Sequence, residues 1–137
     1  MIGNDEIEAR SEELGVHTAN VERDYVFGWL LNAVFANEYL AQLLIFKGGN
    51  CMRKAYYPNT RFSGDLDFSV ETAVDQERFR TELNRACLVA QSACGVTFET
   101  DKNTFVADRM LDEQRQSYKG RCLQAPRDHE CPTVMAT

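Results

Sequence analysis

Two short strand-like segments joined through a glycine turn and a single helix constrain this chain more than any other feature. Ala41 to Phe46 (A-Q-L-L-I-F) is an apolar run that ends in Lys47-Gly48-Gly49, and Leu43 to Lys47 reads as a strand. Asn50 to Tyr56 is expected to be a helix facing the core through Met52, Ala55 and Tyr56, stopped by Pro58-Asn59-Thr60. In the second strand Leu66, Phe68 and Val70 form the buried side, so Asp65 and Asp67 share the opposite face, about 6.6 Å apart along the backbone. Strands separated by one helix belong side by side in a sheet, which brings the glycine turn and the two acids together.

Each half of this arrangement is ambiguous alone. Aspartate is unfavourable in strand interiors, and D-x-D is read either as a solvated strand face or as a pair of divalent-ion ligands. The glycine pair suits any tight strand-to-helix turn, and also a turn whose free N–H groups hold an anion. It matches neither the Walker A loop nor G-x-G-x-x-G. An EF-hand counted from Asp65 fails, because Val70 stands where glycine is required and Gln76 where the bidentate glutamate belongs. In conjunction, an anion-binding turn and a carboxylate pair fit phosphoryl or nucleotidyl transfer.

The flanking sequence supplies a helical frame. Asp5 to Leu14 is an acidic helix with Asp5 as its cap and Gly15 as its end. A second helix begins near Asn20, with Glu22 and Asp24 at its positive end, and runs to about Asn37. Val21, Tyr25, Val26, Trp29, Leu30, Ala33 and Val34 cover most of its circumference, which predicts burial on most sides and Trp29 in the core. Asp75 caps the clearest helix, whose apolar face is Phe79, Leu83, Ala86, Ala90 and Ala93 and whose end is Gly95. Val96 to Thr100 alternates as a third strand before a turn at Asp101-Lys102-Asn103, and Phe105 to Leu123 holds one or two more, Tyr118 to Leu123 being the better defined. The fold class is α+β: a small mixed sheet flanked by helices, in one domain over residues 1–137 with helices in 5–42, a core in 43–125 and an irregular tail in 126–137.

Charge and cysteine usage narrow the function. The net charge of −6 argues against a protein that coats nucleic acid, yet Lys47, Arg53, Lys54 and Arg61 cluster without an intervening acid beside the glycine turn. That basic segment is either a phosphate-balancing patch or a solvated helix face. Five cysteines without C-x-x-C spacing read as reduced thiols; Cys87 and Cys94 in one helix lie about 10 Å apart, beyond disulfide reach. The acidic N-terminus lacks a signal peptide, and the most apolar window, Tyr25 to Phe35, is too short to span a bilayer, so a cytoplasmic protein with no membrane partner is expected.

Three segments, Val21 to Leu31 (V-E-R-D-Y-V-F-G-W-L-L), Ile45 to Asn50 (I-F-K-G-G-N) and Arg61 to Phe68 (R-F-S-G-D-L-D-F), closely resemble the AbiEii/AbiGii family of nucleotidyltransferase toxins. The family pattern runs V-E-K-D-Y, F-K-G-G-T and R-F-S-E-D-L-D-F in the same order and at similar spacing, and the resemblance spans most of residues 15–125. It implies a polymerase-β-like nucleotidyltransferase core acting as the toxin of a type IV toxin–antitoxin or abortive-infection system. It further implies that Gly48 and Gly49 hold a nucleoside triphosphate, that Asp65 and Asp67 bind Mg2+ and carry catalysis, and that Lys47, Arg61 and Ser63 line the nucleotide pocket. The implied acceptor is RNA, transfer RNA foremost, or a protein hydroxyl, and the implied partner is a cognate antitoxin acting indirectly.

The chain departs from that pattern in three places. Asn50 replaces the usual threonine and Gly64 the usual acid. In the family, the strand after a Y-x-G-x-L segment, here Tyr118 to Leu123, leads to an I-K-L-D strand with the third metal carboxylate. Cys131 to Thr137 (C-P-T-V-M-A-T) begins such a strand without the acid, and neither Asp128 nor Glu130 stands at the matching place. The resemblance therefore implies a C-terminally truncated member with weak nucleotide affinity and impaired transfer. The alternative is a catalytically inactive remnant that binds nucleotide or a partner.

Overall fold

Three helices precede the first strand in the computed structural model, in which residues 2–109, 116–121 and 133–136 are described. Helix α1 (Asn4–Leu14) is not capped by Asp5: the Gly3 N–H donates to Glu6 Oε2 at 2.8 Å instead, and Gly15 closes the helix at φ 62°. Helix α2 (Thr18–Ala36) starts ahead of Asn20, because His17 Nδ1 accepts from the Ala19 N–H at 3.2 Å. Glu22 and Asp24 consequently lie past the first turn and have other work than offsetting the helix dipole. Asn37 ends α2 and caps α3 (Glu38–Leu43), its Oδ1 accepting from the Leu40 N–H at 3.0 Å.

Five strands form a mixed sheet. They are β1 (Ile45–Lys47), β2 (Asp65–Ser69), β3 (Thr104–Arg109), β4 (Gln116–Arg121) and β5 (Thr133–Ala136), in the order β1-β2-β5-β4-β3. β5 lies parallel to β2, and the other neighbours pair antiparallel. The α+β expectation thus holds. Helix α5 (Gln76–Cys94) has the predicted start and end: Asp75 accepts from the Arg78 N–H at 3.0 Å, and Gly95 adopts φ 74°.

The core fills the space between α2, α5 and one face of the sheet. Phe27, Leu30 and Val34 of α2 and Phe79, Leu83, Ala86, Cys87, Ala90 and Cys94 of α5 are buried with Leu66 and Phe68 of β2. Burying a side chain of the size of Leu66 or Phe68 contributes about 1.5–3 kcal/mol each, so these two residues fix which face of β2 turns inward. Cys87 and Cys94 are buried thiols outside any disulfide. Cys122 and Cys131 lie outside the described residues.

Several local expectations fail for identifiable reasons. Trp29 is exposed, its ring edge-on to Tyr25 at 6.3 Å, because an all-round apolar helix does not announce which side faces out. Ala93 is exposed while Cys94 is buried. Val96 to Thr100 forms no strand: the Phe98 N–H donates to Gln91 Oε1 at 2.9 Å, and a 3-10 turn follows at Thr100–Lys102. The segment after the glycine turn is α4 (Gly48–Cys51) continued by a π-helical turn, Met52–Tyr56. There Met52, Ala55 and Tyr56, expected inside, are exposed, and the buried residue is Asn50.

Candidate functional site

Pairing between β1 and β2 decides how the site is assembled. Lys47 stands opposite Asp67 and Phe46 opposite Phe68. Cross-strand partners share a face, so Lys47, Asp65 and Asp67 occupy one side of the sheet, while Phe46, Leu66 and Phe68 pack on the helical side. Phe46 and Phe68 meet at 5.5 Å between ring centroids, which anchors the register. The alternation expected from the sequence is present: along β2 the two acids and Ser69 are half-buried and the residues between them fully buried.

The glycine turn closes over the acids. Gly48 has φ 75°, and a Cβ there would lie 2.2 Å from Asp67 Oδ2, so both conformation and space exclude any other residue. A Cβ on Gly49 would approach Ser63 Oγ to 3.1 Å. Both glycines are exposed, and no side chain caps the start of α4. The first N–H groups of this helical run therefore have no side-chain acceptor at the cap.

Asp65 is held from two directions. Ser63 Oγ donates to its Oδ1 at 2.8 Å, and the buried Asn50 amide donates to the Asp65 carbonyl and to the Ser63 carbonyl, the latter at 3.4 Å. Asn50 therefore ties α4 to the entry of β2. Its Oδ1 is buried without a hydrogen bond among the described residues. Burial and the charge of Asp65 push the Asp67 carboxyl above its ordinary range, and Lys47 pulls part of the way back. Two like charges on one partly desolvated face are what a divalent cation relieves, so the donor set fits Mg2+ chemically. Among the described residues no group of three His, Cys, Asp or Glu side chains forms a metal site. Thr133, Val134, Met135 and Ala136, in register with Asp65 to Phe68, bring no carboxylate beside β2.

Of the residues picked out in the sequence, Lys47, Gly48, Gly49, Ser63, Asp65 and Asp67 converge. Arg61 is exposed on the loop that leads to β2. The other two cations of the basic segment turn away. Lys54 Nζ pairs with Asp24 Oδ1 at 2.9 Å and with the Asp24 carbonyl at 3.0 Å, and Arg53 Nε lies 3.5 Å from the same Oδ1. The Arg53 Nη1 donates to the carbonyls of Pro58 and Thr60 at 2.8 and 2.7 Å, and its guanidinium stacks on Phe62 at 3.8 Å. Neither a phosphate patch nor a solvated face describes them: they fasten the 52–62 segment to α2. The roles of Asn50 and Asp24 are what sequence reasoning missed. An open groove of about 570 Å³ lined by Leu31, Phe35, Ala36 and Phe46, with Lys54 at its rim, lies on the helical side, away from the acids.

Residues 29–133 match the family described as nucleotidyl transferase AbiEii toxin, type IV TA system, a span that contains the glycine turn and both aspartates. No curated protein matches the chain.

Proposed function

This chain belongs to the AbiEii nucleotidyl transferase toxin family of type IV toxin–antitoxin systems, and from that premise we propose that the Lys47–Asp67 face binds a magnesium–nucleoside triphosphate and transfers its nucleotidyl group to an RNA, transfer RNA foremost, or to a protein hydroxyl. The observation that carries the reading is the closure of the Gly48 turn on Asp67, which sets an exposed glycine pair against a carboxylate pair. A cognate antitoxin is the partner that a toxin of this kind implies.

Each residue then has a task that follows from its placement. The N–H groups at Gly48 and Gly49 take triphosphate oxygens, with the partial positive charge of a helix start behind them. Lys47, paired across the strands with Asp67, adds a full positive charge on the same face. Asp65 and Asp67 would hold Mg2+, which when bound lowers the charge on the leaving pyrophosphate and favours the deprotonated acceptor hydroxyl. Ser63 and Asn50 orient Asp65 through its carboxylate and its carbonyl respectively. Arg61 is free at the loop to meet substrate phosphate or acceptor.

With Asp65 and Asp67 as the carboxylates that this face holds among the described residues, transfer is expected to be slow. Incubation of the chain with labelled nucleotides, Mg2+ and total RNA tests this: the expected result is weak label transfer that Asp65→Ala removes. Transfer unaffected by Asp65→Ala contradicts the assignment of the site. The absence of an acid among Thr133 to Ala136 beside β2 favours a second reading, a nucleotide-binding module without turnover. Magnesium-dependent nucleotide binding with no label transfer to RNA or protein identifies that case.

A further inference from the structure

Two arginines with described side chains, Arg23 and Arg53, are half-buried, and they differ completely in how their charge is met. Arg53 has Asp24, two carbonyls and a ring face. Arg23, one residue earlier on α2, makes no hydrogen bond or ion pair among the described residues, and its neighbour Asp24 is taken up by Arg53 and Lys54. Its Nη1 lies 3.5 Å from the position a Cβ would take on Gly64, so the guanidinium sits beside Gly64, the residue before the carboxylate strand.

That placement leaves the fork available. A half-buried guanidinium that meets no acceptor among the described residues keeps its five fixed N–H donors for solvent or for a ligand. The planar fork suits a phosphate group better than any other common anion except a carboxylate, and no carboxylate is within ion-pair reach of it among the described residues. Gly64 is exposed and puts no side chain over the guanidinium, so the approach is open from solvent. The ligand would arrive at the rim of the face that carries Asp65 and Asp67.

We propose that Arg23 and the bare backbone at Gly64 form a phosphate-binding notch at the rim of the Asp65–Asp67 site, occupied by a phosphate of the nucleotide or of the RNA acceptor. The identity of the phosphate's carrier rests on the nucleotidyl-transfer reading; the notch itself rests on Arg23 alone. Gly64 offers a direct handle. Its φ is not in the left-handed region, and a Cβ there meets nothing closer than 3.5 Å, so a longer side chain is accommodated. A glutamate at that position would reach Arg23 and neutralise it from within.

Isothermal titration with tripolyphosphate in EDTA, with ATP and Mg2+, and with transfer RNA at fixed salt tests the notch in the full chain. Arg23→Gln and Gly64→Glu are each expected to weaken tripolyphosphate binding about tenfold, the usual worth of a charge-assisted hydrogen bond, with Gly64→Gln within about twofold of the parent and Arg23→Lys in between. A matching loss confined to ATP assigns the notch to the triphosphate; a loss confined to RNA assigns it to the acceptor backbone. Failure of the parent chain to bind tripolyphosphate, unchanged affinity in Arg23→Gln, or a tripolyphosphate loss that neither ATP nor RNA shares overturns the proposal. Asp65→Ala in the same ATP titration reports on the metal face independently: undiminished binding there refutes the Asp65–Asp67 reading and leaves the notch standing.

Discussion

Two regions of one short stretch treat charge in opposite ways. Around Asp24 the cations of Arg53 and Lys54 are met by a carboxylate and by carbonyls, so the segment from Met52 to Phe62 is fastened to α2. Around Asp65 and Asp67 two like charges stand on one face, with Lys47 as a partial counterweight and an exposed glycine turn pressed against them. The first region holds its charges together without a ligand, even though Asp24 Oδ1 and Arg53 Nε are buried without a hydrogen bond among the described residues. The second holds residual electrostatic strain that a cation and an anion together would relieve. Charge satisfied inside the protein marks scaffold, whereas charge left over on a rigid face marks a place where something binds.

Mutations can sharpen or break that contrast. The largest effect is expected at Asp65: Asp65→Ala should lower any label transfer by about 100-fold or more while leaving the thermal midpoint within a few degrees, measured by transfer assay and melting side by side. Asp24→Ala should behave inversely. Stranding Arg53 and Lys54 is expected to cost about 2 kcal/mol of stability in urea denaturation, with the nucleotide affinity of the folded fraction retained. A loss of affinity larger than the loss of stability would merge the two regions and break the comparison.

Asn50→Ala comes next, at about 1–2 kcal/mol, since it removes the buried amide that holds the Ser63 and Asp65 carbonyls. Because the same bonds place Asp65, magnesium-dependent nucleotide affinity should fall along with stability, which distinguishes Asn50 from Asp24. The smallest effect on stability belongs to Asp67. Its carboxyl titrates above the ordinary range, so the folded state holds its proton more tightly than the unfolded state does, and ionisation works against folding. Asp67→Asn should therefore melt slightly higher than the parent at neutral pH. The difference should vanish as the pH falls below the ordinary carboxylate range, where both states of the parent are protonated.

Much of this contrast was legible in the amino-acid order, and the exceptions share a cause. The alternation Asp65-Leu66-Asp67-Phe68 and the amphipathic period of α5 are one-dimensional signals, and both appear as read. The inward face of the 50–56 segment was misjudged because a helical projection assumes 3.6 residues per turn, while Met52–Tyr56 is π-wound and rotates its side chains away from that projection. Helix α2 starts ahead of Asn20 because His17 caps it through an imidazole acceptor, which ranks low among capping residues. Arg53 and Lys54 looked like a ligand patch because their partner sits 29 and 30 positions earlier, and no local pattern reports a pairing at that separation. Asn50 was noticed as a departure from the family pattern, but its clamp on two carbonyls is visible only once α4 and β2 lie side by side.

Titration calorimetry of ATP with and without Mg2+, on the parent chain, Asp65→Ala and Asp24→Asn, addresses the central claim most directly. Binding that requires Mg2+, disappears in Asp65→Ala and persists in Asp24→Asn is the predicted result. Binding of equal strength in the parent and in Asp65→Ala, or binding indifferent to Mg2+, would contradict the claim that the Asp65–Asp67 face is the part of this fold built to receive a metal–nucleotide.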